Sequence, residues 1–252
     1  VWYNTTSNTV KANYINPGAW ATGGALNTAR GTLAGAGIQT AGLAFGGEAV
    51  PGLVAITESY NGTAWTEVND LNTARYALAG AGSTNTAALA FSGNPGSPPY
   101  RTGFTESWNG TSWTEVADLA TARRGSAGAG TQTAALAIGG DAPTGNTVNT
   151  ELWSGSAWTE VNNLNTARSG LAGVGTNTAA LAIGNNPTAA ITELWNGTNW
   201  TEVGDLNTAR LGLAGAGTNT AALAFGGGPA VTGATESWNG TNWTEGNDLN
   251  TA

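Results

Sequence analysis

The sequence of 252 residues contains no cysteine, no histidine and no methionine, and only 10% of its residues are charged. Without cysteine the chain forms no disulfide, so the sequence does not indicate whether the protein works in an oxidising or a reducing compartment. Without histidine it lacks the usual general base near neutral pH, which excludes a serine–histidine–aspartate triad. The absence of both residues also excludes a soft-metal site. We therefore expect no metal, no cofactor and no enzyme activity.

Basic residues are scarce as well. Eight Lys and Arg residues stand against 16 Asp and Glu residues, which gives a formal net charge of −8. Nucleic-acid binding requires clustered basic side chains, so no nucleic-acid partner is expected. No apolar run approaches the roughly 20 residues that cross a bilayer, and no basic and apolar leader begins the sequence. Membrane insertion is therefore not expected.

What the sequence does contain is a repeat. The phrase from Trp108 to Glu115, Trp-Asn-Gly-Thr-Ser-Trp-Thr-Glu, recurs with small changes along the chain. Its other copies begin at Tyr60, Trp153, Trp195 and Trp238. A second phrase, Thr-Ala-Arg, lies between the copies, and its arginines are Arg30, Arg75, Arg123, Arg168 and Arg210. These arginines are 45, 48, 45 and 42 residues apart, a period that indicates a propeller or a solenoid.

One repeat, residues 123–167, divides into four short strands. A run of small residues after Arg123 fits a crowded inner strand, and an apolar segment at 134–138 follows it and ends in Gly-Gly. Segments 150–153 and 158–161 are joined by a Ser-Gly turn, where the other copies have Asn-Gly, a strong hairpin signal. Four antiparallel strands per repeat predict the blade of an all-β propeller. The tryptophans are then expected to be buried between blades.

The order of residues within one unit resembles the kelch repeat, and the resemblance covers nearly the whole chain. In residues 210–252 it is carried by Arg210, Gly226-Gly227, Glu236, Trp238 and Trp243. In residues 75–122 it is carried by Arg75, Gly93, Glu106, Trp108 and Trp113, with Ser92 in place of the first glycine. The resemblance implies a β-propeller. The repeated wording is also similar to kelch-like repeats in virion proteins of marine bacteriophages, which implies a virion or extracellular location.

The whole chain is expected to be a single propeller domain, 1–252. Five complete blades are predicted at 30–74, 75–122, 123–167, 168–209 and 210–252, each opened by a repeated arginine. Residues 1–29 match only part of a unit, because Ile15 to Trp20 aligns with the tryptophan hairpin and no inner strand precedes it. We predict a six-bladed ring with a partial N-terminal blade. A five-bladed ring with an appended hairpin is the alternative.

Most charges follow the repeat. Of the 16 acids, 14 stand at repeated positions, and only Glu48 and Asp141 do not. Five of the seven arginines are the repeated ones, which leaves Arg101 and Arg124. An active site is one asymmetric cluster, whereas these groups occur once per blade. We therefore expect each repeated arginine to pair with a repeated glutamate as part of the framework.

The two ends of the predicted ring differ. The turns between strands 1 and 2 and between strands 3 and 4 are nearly constant, whereas the loop between strands 2 and 3 varies in length and content. This variation has two interpretations. It reflects sequence drift in loops without a function, or it marks a recognition surface, since binding residues favour loops on rigid scaffolds. For the second case we predict the binding residues Tyr76, Tyr100, Arg101, Phe104, Arg124 and Asp141. Tyrosine and arginine are common in binding hot spots.

Three functions are consistent with these features. The first is a structural and interaction module that assembles with other protein subunits, including copies of itself, or acts in adhesion. The second is a lectin-like propeller that binds surface glycans. The third is a carbohydrate-active enzyme, for which glutamates placed once per blade are a poor catalytic pair.

Overall fold

The structure, a computed structural model, describes residues 2–4, 9–11, 20–185, 189–229 and 232–250. These residues form strands, turns and loops, and none of them is helical, so the described part of the chain has no helix that could cross a membrane. Five four-stranded antiparallel sheets follow one another along the chain and form a ring. The predicted all-β propeller is confirmed.

A separate antiparallel pair comes first, β1 (Trp2–Asn4) with β2 (Thr9–Lys11). Blade one has β3 (Ala34–Ile38), β4 (Ala41–Phe45), the small hairpin β5 (Glu48–Ala49) and β6 (Gly52–Leu53), then β7 (Thr57–Tyr60) and β8 (Trp65–Val68). Blade two has β9 (Ala79–Thr84), β10 (Ala87–Phe91), β11 (Thr105–Trp108) and β12 (Trp113–Val116). Blade three has β13 (Ala127–Thr131), β14 (Ala134–Ile138), the small hairpin β15 (Asp141–Ala142) and β16 (Gly145–Asn146), then β17 (Thr150–Trp153) and β18 (Trp158–Val161). Blade four has β19 (Ala172–Gly175), β20 (Ala180–Asn185), β21 (Ala189–Trp195) and β22 (Trp200–Glu202). Blade five has β23 (Ala214–Gly217), β24 (Ala222–Phe225), β25 (Thr235–Trp238) and β26 (Trp243–Glu245).

The first strands of neighbouring blades lie against one another around the centre, β3 beside β9, β9 beside β13, β13 beside β19, and β19 beside β23. The small residues of these strands permit this close approach. A Cβ on Gly80 would lie 2.6 Å from the Gly35 carbonyl oxygen of blade one, a distance that a real side chain cannot adopt. The Gly-Ala-Gly run therefore belongs to the inner strand, as the sequence indicated.

The hydrophobic core lies between blades and not within them. Leu43 and Phe45 of blade one form a buried cluster with Ala88, Trp108 and Trp113 of blade two. Similar clusters fill the next three junctions. The indole of Trp113 also donates a hydrogen bond of 3.0 Å to the hydroxyl of Thr57 in the preceding blade. The predicted burial of tryptophan between blades is confirmed at these four junctions.

The two constant turns share one end of the ring, which we call the constant-turn end. The indole of Trp108 donates a hydrogen bond of 2.9 Å to the carbonyl of Asn85, which joins the turn of β11 and β12 to the turn of β9 and β10. Gly110 has a φ of 92°, which explains the Asn-Gly sequence at this turn. The loops between strands 2 and 3 lie at the opposite end, which we call the variable-loop end.

The partial N-terminal blade predicted at 1–29 is not formed by the described residues. Residues 20–29 contain no strand, although they lie between blade five and blade one. Residues 2–4 and 9–11 pair only with each other as named strands. Residue 1 and residues 5–8 and 12–19 lie outside the described part of the chain. The described structure is therefore a ring of five blades, and the sixth blade stays a prediction.

Candidate binding face at the variable-loop end

The five repeated arginines form ion pairs with repeated glutamates, as predicted. In blade four, Arg168 Nη2 lies 3.0 Å from Glu193 Oε1, and in blade five Arg210 Nη2 lies 2.8 Å from Glu236 Oε1. The other pairs are Arg30–Glu58, Arg75–Glu106 and Arg123–Glu151. All ten side chains are at most 1% exposed. These charges belong to the framework of the blades.

Each buried glutamate also fixes the connection between blades. Glu106 Oε2 accepts a hydrogen bond of 2.7 Å from the backbone N–H of Asn72, in the segment that leads from blade one into blade two.

Burial shifts the pKa values of the framework pairs. In blade one, burial disfavours the charged form of Glu58, but hydrogen bonds from Arg30 and from two backbone N–H groups hold its pKa below its ordinary value. Burial lowers the pKa of Arg75, Arg123 and Arg168, and their glutamate partners oppose that shift.

The centre of the ring contains a cavity of about 410 Å³. Its lining comes from glycine and alanine residues of the inner strands, together with Gly42, Leu43, Trp65 and Val174. None of these lining residues carries an ionisable side chain. The cavity therefore offers a ligand no acid, base or ion pair from its walls.

A constant register brings side chains together at the variable-loop end. The residue after a repeated arginine forms a backbone bridge with the first residue of the same blade's variable loop. The bridges are Gly31 with Glu48, Tyr76 with Asn94, Arg124 with Asp141, and Leu211 with Gly228. This register places the Arg124 side chain beside that of Asp141 in blade three.

Four of the six predicted binding residues form one polar cluster, which we call the arginine cluster: Tyr76, Arg101, Arg124 and Asp141. Arg101 reaches across from the loop of blade two, and its Nη2 lies 2.8 Å from Asp141 Oδ2. Arg124 Nε lies 3.0 Å from the same oxygen, and Arg124 Nη1 lies 3.4 Å from the Tyr76 hydroxyl. The loops of two neighbouring blades are thereby joined at one carboxylate.

The arginine cluster carries an excess of positive charge. Two guanidinium groups share the single carboxylate of Asp141, and their side chains are 25% and 34% exposed. Partial burial works against the charge of Asp141, but hydrogen bonds from Arg101 and Arg124 outweigh it and keep its pKa below the ordinary value. Arg101 and Arg124 are the only arginines outside the framework pairs, so the cluster is a local basic site on an acidic chain.

The other two predicted residues lie in the same loop of blade two but outside the hydrogen-bonded cluster. Tyr100 is 49% exposed and Phe104 is 42% exposed, which makes them two of the few exposed large hydrophobic residues in the described chain. Tyr100 has a φ of 59°, a left-handed conformation that is rare outside glycine. The loop therefore presents two aromatic rings to solvent, one of them next to Arg101 in the sequence.

A comparison with protein-family models finds none that matches this chain, and a comparison with the curated proteins finds no match. The kelch repeat is therefore a resemblance in the order of residues, and the fold rests on the structure.

Sequence reasoning missed one member of this face. Asn94 donates a hydrogen bond of 2.9 Å to the Tyr76 hydroxyl and accepts one of 2.8 Å from the backbone N–H of Gly96. It holds both the tyrosine and the start of the loop. Its place directly after Gly93 is the same as that of Asp141 after Gly140, so the repeat contained the signal that pairs it with Tyr76.

Proposed function

We propose that this protein is a non-catalytic binding module that holds a protein partner at its variable-loop end, within a virion or another extracellular assembly. A β-propeller is a fold suited to interaction, because it presents loops on a rigid ring. The single observation that carries the proposal is the arginine cluster. Tyr76, Arg101, Arg124 and Asp141 converge there, while the repeated charges are committed to the framework.

The chemistry of the loop supports a protein partner. Tyrosine and arginine dominate binding hot spots, since they combine apolar area with directional hydrogen bonds. Tyr100 and Phe104 supply exposed aromatic area, and Arg101 and Arg124 supply partly exposed guanidinium side chains. An acidic segment on the partner would complement the excess positive charge. The virion or extracellular setting rests on the resemblance of the repeats to phage virion proteins.

The arrangement of the carboxylates supports the absence of catalysis. A glycosidase of the usual kind needs two carboxyl groups on either side of the scissile bond. The arginine cluster has one carboxylate, held by two guanidinium groups. The glutamates that precede the first tryptophan of each repeat, such as Glu106, are buried in ion pairs. The glutamates that follow the second tryptophan, such as Glu115, are exposed on outer strands. Neither set supplies a pair of tuned acids.

A lectin-like function is the second candidate. The exposed ring of Tyr100 can stack on a sugar, and the guanidinium groups of Arg101 and Arg124 can bind an acidic saccharide. The observation that favours this candidate is the exposed ring of Tyr100, which directly precedes Arg101 of the basic cluster in the sequence.

Two measurements separate the candidates. Native mass spectrometry on the full chain is expected to show a discrete oligomer that Tyr100→Ala and Arg101→Ala dissociate, with Thr111→Ala at the constant-turn end as the matched control. A glycan array is expected to show no specific binding. Specific glycan binding that the same two variants abolish would favour the lectin. Turnover of a glycoside that depends on one glutamate would overturn both.

A further inference from the structure

Trp20 docks on blade five in the way that each blade docks on the preceding one. Its indole Nε1 lies 3.2 Å from the hydroxyl of Thr235, and its ring lies 5.2 Å from that of Phe225. Trp113 makes the same two contacts with blade one, at 3.0 Å and 5.0 Å. Trp20 therefore occupies the place of the outer-strand tryptophan of a blade that would follow blade five.

The same segment joins blade one by the other repeated contact. In a regular junction, the amide of Asn207 in blade four donates to the carbonyl of Trp243 in blade five at 3.1 Å. The amide of Asn250 donates to the carbonyl of Trp20 at 2.9 Å, and the amide of Asn27 donates to that of Trp65 at 3.0 Å. Residues 20–27 thus hold one position between blades five and one, so the ring is divided into six positions.

This sixth position is open on its inner side. Leu223 of blade five is 37% exposed, whereas its counterparts Leu136 and Leu181 are fully buried. Ala214 and Ala216 of β23 are exposed, whereas the corresponding residues in β9, β13 and β19 are buried. Among the described residues, no inner strand covers this face of blade five.

The backbone ladder around the centre also stops at the opening. Its bonds run from Ala77 N–H to Thr32 C=O at 2.9 Å and continue to Gly212 N–H, which donates to Gly170 C=O at 2.8 Å. The next donor in this series is Thr32 N–H and the next acceptor is Gly212 C=O. Neither group has a hydrogen-bond partner among the described residues, and both residues are exposed. Both groups precede the inner strands, and unpaired backbone groups of this kind can bind an added segment of chain.

The four complete junctions define what would fit. A Cβ on Gly173 would lie 2.6 Å from the Gly128 carbonyl oxygen, so the strand facing the previous blade needs glycine at this position. The second strand needs alanine, because Ala180 and Ala182 pack against Leu136 in the cluster between blades three and four. The inner hairpin of blade four, residues 168–184, satisfies both requirements.

The geometry points to a strand-acceptor site between blades five and one that takes a glycine- and alanine-rich β-hairpin of the repeat's own inner type from another polypeptide. The occupant would bridge Gly212 C=O and Thr32 N–H and cover Leu223. A second copy of this chain is a poor donor, because each of its inner hairpins is held in a blade by a buried Arg–Glu pair. The sequence of residues 1–19 does not match the inner hairpin either, because it contains only one glycine and two alanines. The site lies between blades five and one, whereas the arginine cluster lies between blades two and three.

A synthetic peptide tests the site. A labelled peptide of residues 168–184 is added to the full chain, and binding is followed by fluorescence anisotropy. We expect saturable binding that weakens at least about tenfold, or 1.4 kcal/mol, when the peptide carries Gly173→Val. Leu223→Asp in the full chain weakens it similarly, with an unchanged circular dichroism spectrum because Leu223 is exposed. No saturable binding, or equal binding of the Gly173→Val peptide, would overturn the site.

The absence of cysteine makes the location of the peptide directly testable. A full chain with Leu223→Cys is expected to form a mixed disulfide with the peptide carrying Ala182→Cys. If Leu223→Cys instead links two copies of the chain, the occupant is a second copy. If a Leu223→Cys, Val10→Cys double variant closes an internal disulfide, the occupant is the chain's own N-terminal hairpin. Either result would overturn an acceptor for a separate polypeptide.

Discussion

Arg124 and Asp141 are joined through both backbone and side chain. Arg124 N–H donates to the Asp141 carbonyl at 3.1 Å, Asp141 N–H donates back at 2.7 Å, and Arg124 Nε lies 3.0 Å from Asp141 Oδ2. The backbone bridge is common to four blades, but the ion pair occurs only in blade three. The backbone register that these blades share therefore positions an ion pair that is specific to blade three.

The pair is expected to give stability that depends on pH in one direction. The folded pKa of Asp141 is lowered, so its contribution is full above the unfolded pKa of about 3.9 and is lost as the pH falls through the folded pKa. The difference in unfolding free energy between the native chain and Asp141→Asn should be at most about 1 kcal/mol near pH 7, since the groups are partly exposed. It should disappear in strong acid. Urea unfolding at several pH values measures it, and a difference that grows in acid would contradict the assignment.

A buried framework pair is expected to matter much more. Glu106→Ala leaves the buried guanidinium of Arg75 without its carboxylate, which should cost about 3–5 kcal/mol of unfolding free energy. Glu115→Ala is the matched control, because Glu115 is a repeated glutamate that lies exposed in the same blade. Its effect should stay within about 0.5 kcal/mol. Equal effects of the two variants would exclude a structural role for the pair.

One left-handed residue offers a gain in stability. Ala77 has a φ of 50°, and the corresponding residues Gly125, Gly170 and Gly212 have φ values near 60°. The left-handed conformation costs alanine about 1–2 kcal/mol, whereas the added flexibility of glycine costs about 0.5–1 kcal/mol. Ala77→Gly should therefore stabilise the protein by about 0.5–1 kcal/mol. Gly125→Ala should destabilise it, and thermal unfolding of both variants provides the comparison.

The two docking tryptophans should differ in their effects. Trp113→Ala removes a 5% exposed side chain from a complete junction and should cost about 3–5 kcal/mol. Trp20→Ala should cost less, because Trp20 is half-buried beside the open position. Hydrogen exchange should show faster opening confined to blades five and one in Trp20→Ala. Faster exchange spread evenly over all blades would contradict a local role.

The repeat predicted most of the fold for identifiable reasons. The repeated arginine and glutamate of each blade were expected to pair, because they recur in step, and five pairs form. The Asn-Gly turns and the glycine-rich inner strands were readable because both depend on local geometry. The alignment of Ile15 to Trp20 with the tryptophan hairpin indicated the place of Trp20 in the repeat. Its contact with Thr235 was not readable, because no local pattern relates residues 215 positions apart.

The grouping of side chains at the variable-loop end was partly predictable, and their role in binding stays a prediction. Position at the variable-loop end together with residue type selected Tyr76, Arg101, Arg124 and Asp141, which the structure brings together. Their pairing required the bridge register between the residue after each arginine and the first residue of the loop. The conformation of the long loop of blade two, with Tyr100 at positive φ, follows from tertiary contacts and has no repeated counterpart in the sequence.

The location of the core between blades has a consequence for synthesis on the ribosome. Leu43 and Phe45 are completed as a buried cluster only by Trp108 and Trp113 of the next blade. A nascent chain that ends within blade one thus has no interior of its own, and each further blade covers the apolar face left by its predecessor. Folding during translation would advance in steps of one repeat, always leaving the newest face uncovered until the next repeat emerges.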